Sequence, residues 1–157
     1  DDLIIFNILI DFLRHNTYEE TGLEIKRENN DSNKKGNYLD MSFNINDSTE
    51  ELDYKLYDKR RDFKFQLFKY PQKSSNIHIK TLSGVCITRL VNIYGASKFL
   101  PDCLREAKIL FNELAYNGFT KAEWGAACAK FTERHYNMKK FRTTKELFFK
   151  SLLDACN

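Results

Sequence analysis

The sequence predicts an α+β fold, with a small antiparallel β-meander over about residues 38–69 followed by helices over about residues 81–155. Residues 1–80 carry short runs in which apolar and polar residues alternate, as in half-buried strands. The remainder carries apolar residues at helical spacing with few breakers. We therefore expect three parts: residues 1–70, a linker over 71–80, and a helical part over 81–157.

The alternation of apolar and polar residues predicts where the strands of the meander lie. Residues 38–45 alternate apolar and polar positions, residues 54–57 form a short run after a turn through 46–51, and residues 63–68 alternate again. Each strand is expected to have one buried and one wet face, with the inward residues Leu39, Met41, Phe43, Ile45, Phe63, Phe65 and Leu67.

Upstream of the meander, the elements are shorter. Residues 3–6 are an apolar run typical of a buried strand, and residues 8–18 have helical spacing. Residues 23–26 read as a second short strand, and the polar stretch 29–37 reads as a surface loop.

Four helices are expected in the second half. The first begins near residue 82 and ends at Gly95, the second covers 102–117 with Gly118 as its C-terminal stop, and the third covers about 121–134. A fourth covers 144–155. The inward stripes are Ile87, Leu90, Val91 and Tyr94; Leu104, Ala107, Phe111 and Leu114; Trp124, Cys128 and Phe131; and Phe148 and Leu152.

Composition narrows the class of protein. The chain is 42% apolar, carries a net charge of +3, and contains no stretch near the ~20 apolar residues of a membrane span. Residues 81–157 hold 12 Lys+Arg against 7 Asp+Glu, so the helical half is basic. The cysteines lack C-x-x-C or zinc-ligand spacing, so we expect buried thiols and an intracellular location. The three histidines are isolated as well, so we expect no metal role for them.

Two adjacent acids, Asp1 and Asp2, lead directly into the apolar run over residues 3–6. Carboxylates at the edge of a buried strand are costly unless a cation shares them, and Mg²⁺ is the usual cation that holds nucleoside triphosphates. Two solvated acids at a chain end are the plain alternative.

A series of segments resembles, in order and spacing, the C-terminal palm and thumb of retroelement reverse transcriptases of the Penelope-like or a related family. DDLIIFN resembles the metal-binding motif, TYEETGLEIK the segment after its hairpin, and NYLDMSFNI the F/Y-L-D strand. KLYDKRRDFKF is close to the Y-D-K-R-D-D-F-x-F block, and KYPQKSSNI resembles the F/Y-P…S-N-I segment. SGVCITRLVNI resembles the first thumb helix and FNELAYNGF its close, so the similarity covers about residues 1–135.

The resemblance implies a site for RNA-directed DNA synthesis, a nucleotidyl transfer. Asp1 and Asp2 would be catalytic metal ligands in a two-Mg²⁺ site that an aspartate outside this sequence completes. Lys26 would be a general acid for pyrophosphate departure, with an exposed strand-end lysine as the alternative. The implied partners are an RNA template and DNA primer or their RNA–DNA hybrid, deoxynucleoside triphosphates and the N-terminal remainder of the polymerase, without a membrane.

Two further groups of residues are expected to bind nucleic acid. Around Asp58, the residues Tyr57, Lys59, Arg60 and Arg61 resemble the primer grip, and cations there can contact phosphates. A charged edge that prevents sheet-to-sheet aggregation is the alternative. Thr88, Arg89 and Asn92 lie on the helix expected to approach the minor groove of the product duplex, with an ordinary wet helix face as the alternative.

Three positions depart from the family pattern. Arg61 stands where the family has an acid, His78 where it has proline, and Asn92 where it has arginine, although Arg89 lies three residues before Asn92 and could supply that cation. The fingers and the first catalytic aspartate of the family have no counterpart in these residues, so the chain is not expected to polymerise alone. The departures favour a second hypothesis, an exapted non-catalytic relic that acts as an RNA-binding or scaffolding subunit of a ribonucleoprotein, whereas the retention of both Asp1 and Asp2 favours the polymerase. A third is a generic helical interaction domain.

Overall fold

The computed structural model describes residues 34–65, 67, 70–76 and 78–155. In this part of the chain, a three-stranded antiparallel sheet is followed by five α-helices, as the predicted α+β class requires. The strands are β1 (Lys35–Tyr38), β2 (Met41–Ile45) and β3 (Leu52–Leu56), and a 3₁₀ turn (Lys59–Asp62) follows them. The helices are α1 (Ile79–Gly95), α2 (Leu100–Tyr116), α3 (Lys121–His135), α4 (Met138–Phe141) and α5 (Lys145–Asp154).

The first hairpin corrects the strand predicted over residues 38–45. The chain reverses at Leu39 and Asp40, so that Tyr38 pairs with Met41 and residues 35–38, partly assigned to a loop, become β1. Leu39 has a φ of 52° and its side chain is 66% exposed, so its predicted place on a buried face is wrong. The left-handed conformation of a non-glycine residue is disfavoured by its Cβ, and the hairpin hydrogen bonds hold it there.

The second hairpin agrees with the predicted turn over residues 46–51. Asn46 donates its backbone N–H to the carbonyl of Glu51 at 2.9 Å, and its side chain accepts from the Ser48 N–H at 2.9 Å. Along β2, however, every residue is half-buried, so the expectation of one buried and one wet face is wrong for this strand. In β3, Leu56 is buried in the main core while Leu52 is exposed. Among the described residues, Leu56 is the one strand residue that is buried.

The strand predicted over residues 63–68 is wrong at each position that the structure describes. After the 3₁₀ turn the chain bends through residues 63–65, and Phe63 and Phe65 are 46% and 62% exposed. The guanidinium of Arg60 donates to the carbonyl of Leu67 at 3.2 Å, which folds the segment back on the turn. Alternation alone could not reveal this, because the contacts that bend the segment come from arginines and acids on other elements.

The long helices lie where the helical spacing predicts them, and their ends have identifiable causes. Pro101 occupies the first turn of α2, where its missing N–H costs nothing, and Gly118, with a φ of 88°, follows the end of that helix. Thr120 and Glu123 form a reciprocal capping box at the start of α3. The Thr144 side chain caps α5 by accepting from the Leu147 N–H at 3.3 Å. The short helix α4 was not predicted.

The main core lies among the helices. Trp124 is buried and stacks on Phe111 with ring centroids 4.7 Å apart, as expected for a core residue. Phe148 and Leu152 of α5 are fully buried, also as predicted. In α1 the most buried positions are Cys86, Arg89, Leu90 and Ile93, so the buried stripe is rotated from the predicted one. Among the described residues, Cys86, Cys103 and Cys128 are buried and form no disulfide, in agreement with the predicted buried thiols; Cys156 lies outside them.

An aromatic cluster joins the C-terminal helices to α1. The ring of Tyr94 lies 5.3 to 6.1 Å, between centroids, from four others, those of Phe131, Tyr136, Phe141 and Phe148. The ammonium of Lys140 lies over the Tyr94 ring at 4.6 Å and donates to the carbonyls of Tyr94 and Gly95. A cation at the C-terminus of a helix satisfies carbonyls that have no partner within the helix. Helix α4 is therefore fixed to the last turn of α1.

The segment predicted as a linker, residues 71–80, packs against the helices in its described part. Lys73 donates its backbone N–H to the carbonyl of Asn117 at 2.9 Å, and its ammonium pairs with Glu123 at 2.8 Å. At the other end, the side chain of His78 caps α1 by accepting from the Lys80 N–H at 3.1 Å. His78 thus begins the helix by a side-chain hydrogen bond.

Candidate nucleic-acid interface

Asp58 organises the turn that follows the sheet. Its carboxylate is 5% exposed and accepts from the Arg60 backbone N–H at 3.2 Å, which caps the 3₁₀ turn. The Arg60 guanidinium binds the same carboxylate through Nε at 3.0 Å and Nη2 at 2.6 Å. Arg89, from α1, approaches it at 3.5 Å. A buried carboxylate requires such partners, because the interior solvates a charge poorly.

Arg60 and Arg61 also bind acids of helix α2. Arg60 Nη2 lies 2.9 Å from a carboxylate oxygen of Glu113. Arg61 binds the buried Glu106 with both terminal nitrogens, Nη1 at 3.0 Å and Nη2 in a shorter contact. Hydrogen bonding to Asp58 raises the pKa of Arg60 above its ordinary value, and hydrogen bonding to Glu106 raises that of Arg61. Both cations are thus held charged by acids of the protein itself.

The same residues surround a small cavity of about 10 Å³, about the space that one water molecule needs. Its charged lining is balanced, three arginines against three acids: Arg60, Arg61, Arg89, Asp58, Glu106 and Glu113. Tyr70 closes one side, and burial raises the pKa of its hydroxyl to about 12. The cavity therefore lies between the end of the sheet and helices α1 and α2. Its lining offers no surplus of positive charge that could bind a phosphate.

The predicted nucleic-acid residues consequently divide into two groups. Arg60, Arg61 and Arg89 are bound to acids inside this cluster, and the expectation that Arg89 lies on a wet or groove-facing side of α1 is wrong, since it is 8% exposed. It belongs to the buried stripe because it lies three residues after Cys86 and four before Ile93. The Tyr57 hydroxyl donates to Asp62.

The remaining predicted residues are exposed. Lys59 lies at the start of the 3₁₀ turn, and no ion pair to it is present in the described part of the chain. Thr88 and Asn92 are exposed on α1, four residues apart and hence on one face. Gly84 lies on the same exposed face, and a Cβ added there would have no heavy atom within 4 Å. This face of α1 is polar, narrow and open to a partner.

Asp1, Asp2 and Lys26, the predicted metal ligands and general acid, lie outside the described residues. The structure therefore gives no geometry for an Mg²⁺ site. Within the described residues, no group of three or more His, Cys, Asp or Glu side chains is arranged to hold a metal ion.

Two acids of the buried cluster, Glu106 and Glu113, were not singled out by the sequence, whereas Asp58 belongs to the primer-grip-like block. Glu106 offered a signal: it falls between Cys103 and Leu110, at apolar spacing on α2, so an acid stands where the buried stripe requires an apolar residue. Its partner Arg61 is 45 residues away along the chain. A single sequence holds no pairing information over that separation.

Comparison with known proteins gives no significant match to a protein-family model, a curated protein or a solved structure. Within the described part of the chain, the helices are too short or too polar to cross a membrane.

Proposed function

We propose that the chain is the C-terminal palm and thumb segment of an RNA-directed DNA polymerase, a reverse transcriptase, and that it holds the primer–template duplex. The observation that carries this proposal is the ordered series of family-like segments over about residues 1–135. The order of a small sheet, a charged turn and then a helical bundle agrees with what that resemblance implies. The duplex would lie along the exposed face of α1, at Thr88 and Asn92.

The chemistry of α1 supports this placement. A wide, shallow minor groove, as in duplexes of the A form, suits short polar side chains that approach closely. Thr88 and Asn92 supply hydrogen-bonding groups, and Gly84 lets a partner come near the helix backbone. Lys59, exposed on the 3₁₀ turn, would contact a phosphate. Asp1 and Asp2 would hold Mg²⁺ with a third aspartate, and the bound ions would activate the primer hydroxyl and neutralise the leaving pyrophosphate.

The catalytic part is tested in the whole polymerase, with the chain joined to the fingers and the remaining palm. On an RNA template with deoxynucleoside triphosphates and Mg²⁺, we expect Asp1→Asn to abolish primer extension. Asp154→Asn, which removes an exposed acid at the end of α5, is the matched control and should extend normally. Normal extension by Asp1→Asn would show that the aspartate pair has no catalytic role.

The duplex-binding part is tested with the chain as it is. Thr88→Glu with Asn92→Glu places two negative charges on the exposed face of α1 and should weaken binding to an RNA–DNA hybrid, measured by fluorescence anisotropy. Asn112→Glu with Ala115→Glu adds the same charge to exposed positions of α2. Equal weakening by both pairs would mean that net charge alone, and no particular face, accounts for the effect.

A second candidate function is an exapted, non-catalytic relic that binds RNA or scaffolds a ribonucleoprotein. The specific observation that favours it is the inward engagement of Arg60 and Arg61, the cations of the primer-grip-like block, by Asp58, Glu106 and Glu113. The two functions differ in one result. A relic would bind RNA through the same face of α1 but, when joined to the fingers and the remaining palm, would show no Mg²⁺-dependent primer extension even with Asp1 and Asp2 intact, whereas a polymerase segment would.

A further inference from the structure

The N-cap residue of α1 is a histidine, His78, and its ring acts as a hydrogen-bond acceptor. Its Nδ1 atom accepts from the backbone N–H of Lys80 at 3.1 Å, and its carbonyl accepts from the N–H of Thr81 at 2.9 Å. The first N–H groups of a helix have no partner within the helix, so the ring supplies an acceptor that the backbone lacks. Nδ1 can accept this hydrogen bond only while it carries no proton.

The other described helices begin without a group that ionises near neutral pH. The caps of α4 and α5 are Asn137 and Thr144, whose side chains stay uncharged. Helix α3 uses Thr120 with Glu123, and the pKa of Glu123 is lowered to about 2. Helix α2 follows Phe99, which makes no side-chain cap. Histidine ordinarily changes charge between about pH 5 and 8, so α1 is the described helix whose cap is exposed to mild acid.

The first two turns of α1 receive little support from the core. Lys80 and Thr81 are exposed and Ser83 is half-buried, and the first described side chain of the helix that is buried is that of Cys86. Threonine, serine and the glycine at position 84 are all weaker helix formers than alanine. These turns therefore depend on their own hydrogen bonds, of which the His78 cap is the first.

A protonated His78 would meet no compensating acid in these turns. The side chain is exposed, the first turn of α1 contains no acid, and its charged neighbour there is the exposed Lys80. No ion pair to His78 is present within the described part of the chain, and the ammonium of Lys73, in the preceding segment, is bound to Glu123. The beginning of a helix carries a partial positive charge, which repels a cation. Protonation thus removes a hydrogen bond and adds a repulsion.

We propose that His78 is a pH-sensitive cap, which keeps the first two turns of α1 folded at neutral pH and releases them in mildly acidic solution. The released turns are residues 79–85, because the buried side chain of Cys86 fixes the helix from that point on. Upstream, the chain is fixed at Lys73, whose backbone N–H is bound to the carbonyl of Asn117 at 2.9 Å. Acid therefore shortens α1 from one end and leaves the bundle in place.

The inference does not depend on the proposed function, because it concerns a hydrogen bond within the chain. It does change the surface that α1 presents. Gly84 lies in the released turns, whereas Thr88 and Asn92 lie beyond Cys86, in the part of the helix that stays packed. In mildly acidic solution the exposed polar face of α1 loses its Gly84 end and keeps the other.

The test measures amide hydrogen exchange of the full chain by NMR between about pH 5 and 8. Rates are expressed as protection factors, which removes the intrinsic effect of pH on exchange. The reporting amides are those of Ser83 and Gly84, with Leu90 as a buried reference in the same helix. From the upper to the lower pH, protection at Ser83 and Gly84 should fall about five- to tenfold, the size expected when a side-chain cap is lost and a cation replaces it. Protection at Leu90 should stay constant.

Three variants assign this response to the ring of His78. His78→Asn is the matched variant, because asparagine caps a helix through an amide oxygen that does not ionise; protection should stay high at every pH. His78→Ala removes the cap, so protection should be low at every pH. His135→Gln replaces the exposed histidine in the last turn of α3 and should respond to pH as the unmodified chain does.

Several outcomes would overturn the proposal. One is constant protection at Ser83 and Gly84 in the unmodified chain, and another is a full response to pH in His78→Asn. An equal fall at Leu90 would show that the whole helix responds to acid, and not its first turns. Loss of the response in His135→Gln would assign the titration to α3.

Discussion

Removal of Arg61 gives the sharpest test of the buried charge cluster. Its partner Glu106 is 2% exposed, and its two carboxylate oxygens receive both terminal nitrogens of Arg61. Arg61→Ala leaves this carboxylate almost without a counter-ion, since Arg105 approaches it only to 3.7 Å. Breaking a buried ion pair by removing one partner costs about 3–5 kcal/mol. We expect about 3 kcal/mol here, the lower end, because Arg61 itself is 43% exposed.

Urea unfolding followed by circular dichroism measures this loss. For a chain of this length, about 3 kcal/mol corresponds to a fall in Tm of about 6–12 °C. The double variant Arg61→Met with Glu106→Leu removes both charges and should recover most of the stability, because apolar replacement of a buried pair is often neutral. Glu51→Ala, which breaks the exposed pair with Lys98, should cost below about 1 kcal/mol. A loss below about 1 kcal/mol in Arg61→Ala would refute the inference that Glu106 depends on this pair.

Three further predictions concern single residues. Gly84→Ala should stabilise the chain to urea by about 1 kcal/mol, because alanine is the better helix former and the added Cβ meets no atom within 4 Å; a loss of stability would contradict this. The pKa of Glu123 is lowered from 4.5 to about 2, first by the Lys73 ammonium and then by Thr120. The ionised carboxylate therefore contributes to the free energy of unfolding above pH 4.5, and this contribution is lost as the pH falls toward 2. Glu123→Gln should flatten the fall in urea stability over that range, and an unaltered profile would count against the pairing. Burial raises the pKa of the Cys103 thiol to about 12. In a variant whose other cysteines are alanine, this thiol should therefore react with a thiol reagent only as fast as the chain unfolds. Rapid labelling of the native protein would show instead that the thiol is accessible.

Most of the helical half could be predicted because its signals are local. The apolar stripes repeat at the helical period, and the helix ends carry proline, glycine or a capping box within a few residues. Helix α4 is four residues long, too short to show a helical period; its local signal is the N-cap residue Asn137, and Lys140 holds it to α1. The rotated stripe of α1 shows the same limit: Arg89 becomes a buried position because Asp58, 31 residues earlier, receives it.

The sheet was less predictable because alternation records only a tendency to be half-buried. Leucine is not a residue that favours turns, yet the chain reverses at Leu39. It does so because the pairing of Tyr38 with Met41 satisfies the backbone hydrogen-bonding groups on both sides. Residues 63–67 alternate as a strand would, but ion pairs from Arg60 and Arg61 to acids on α2 bend the chain first. The exposed part of the candidate interface, Lys59, Thr88 and Asn92, could be predicted, whereas the acids that bind the other cations could not.

The connection between α1 and α2 lies against the β3 edge of the described sheet. Lys98 donates its backbone N–H to the carbonyl of Tyr54 at 3.2 Å and its ammonium to the carbonyl of Leu52 at 3.2 Å, so two carbonyls of β3 that face away from β2 are occupied. The same ammonium binds Asp53 at 2.7 Å. A further strand along this edge would have to displace these contacts of Lys98. The connection between α1 and α2 thus acts as an end cap for the described sheet at its β3 edge.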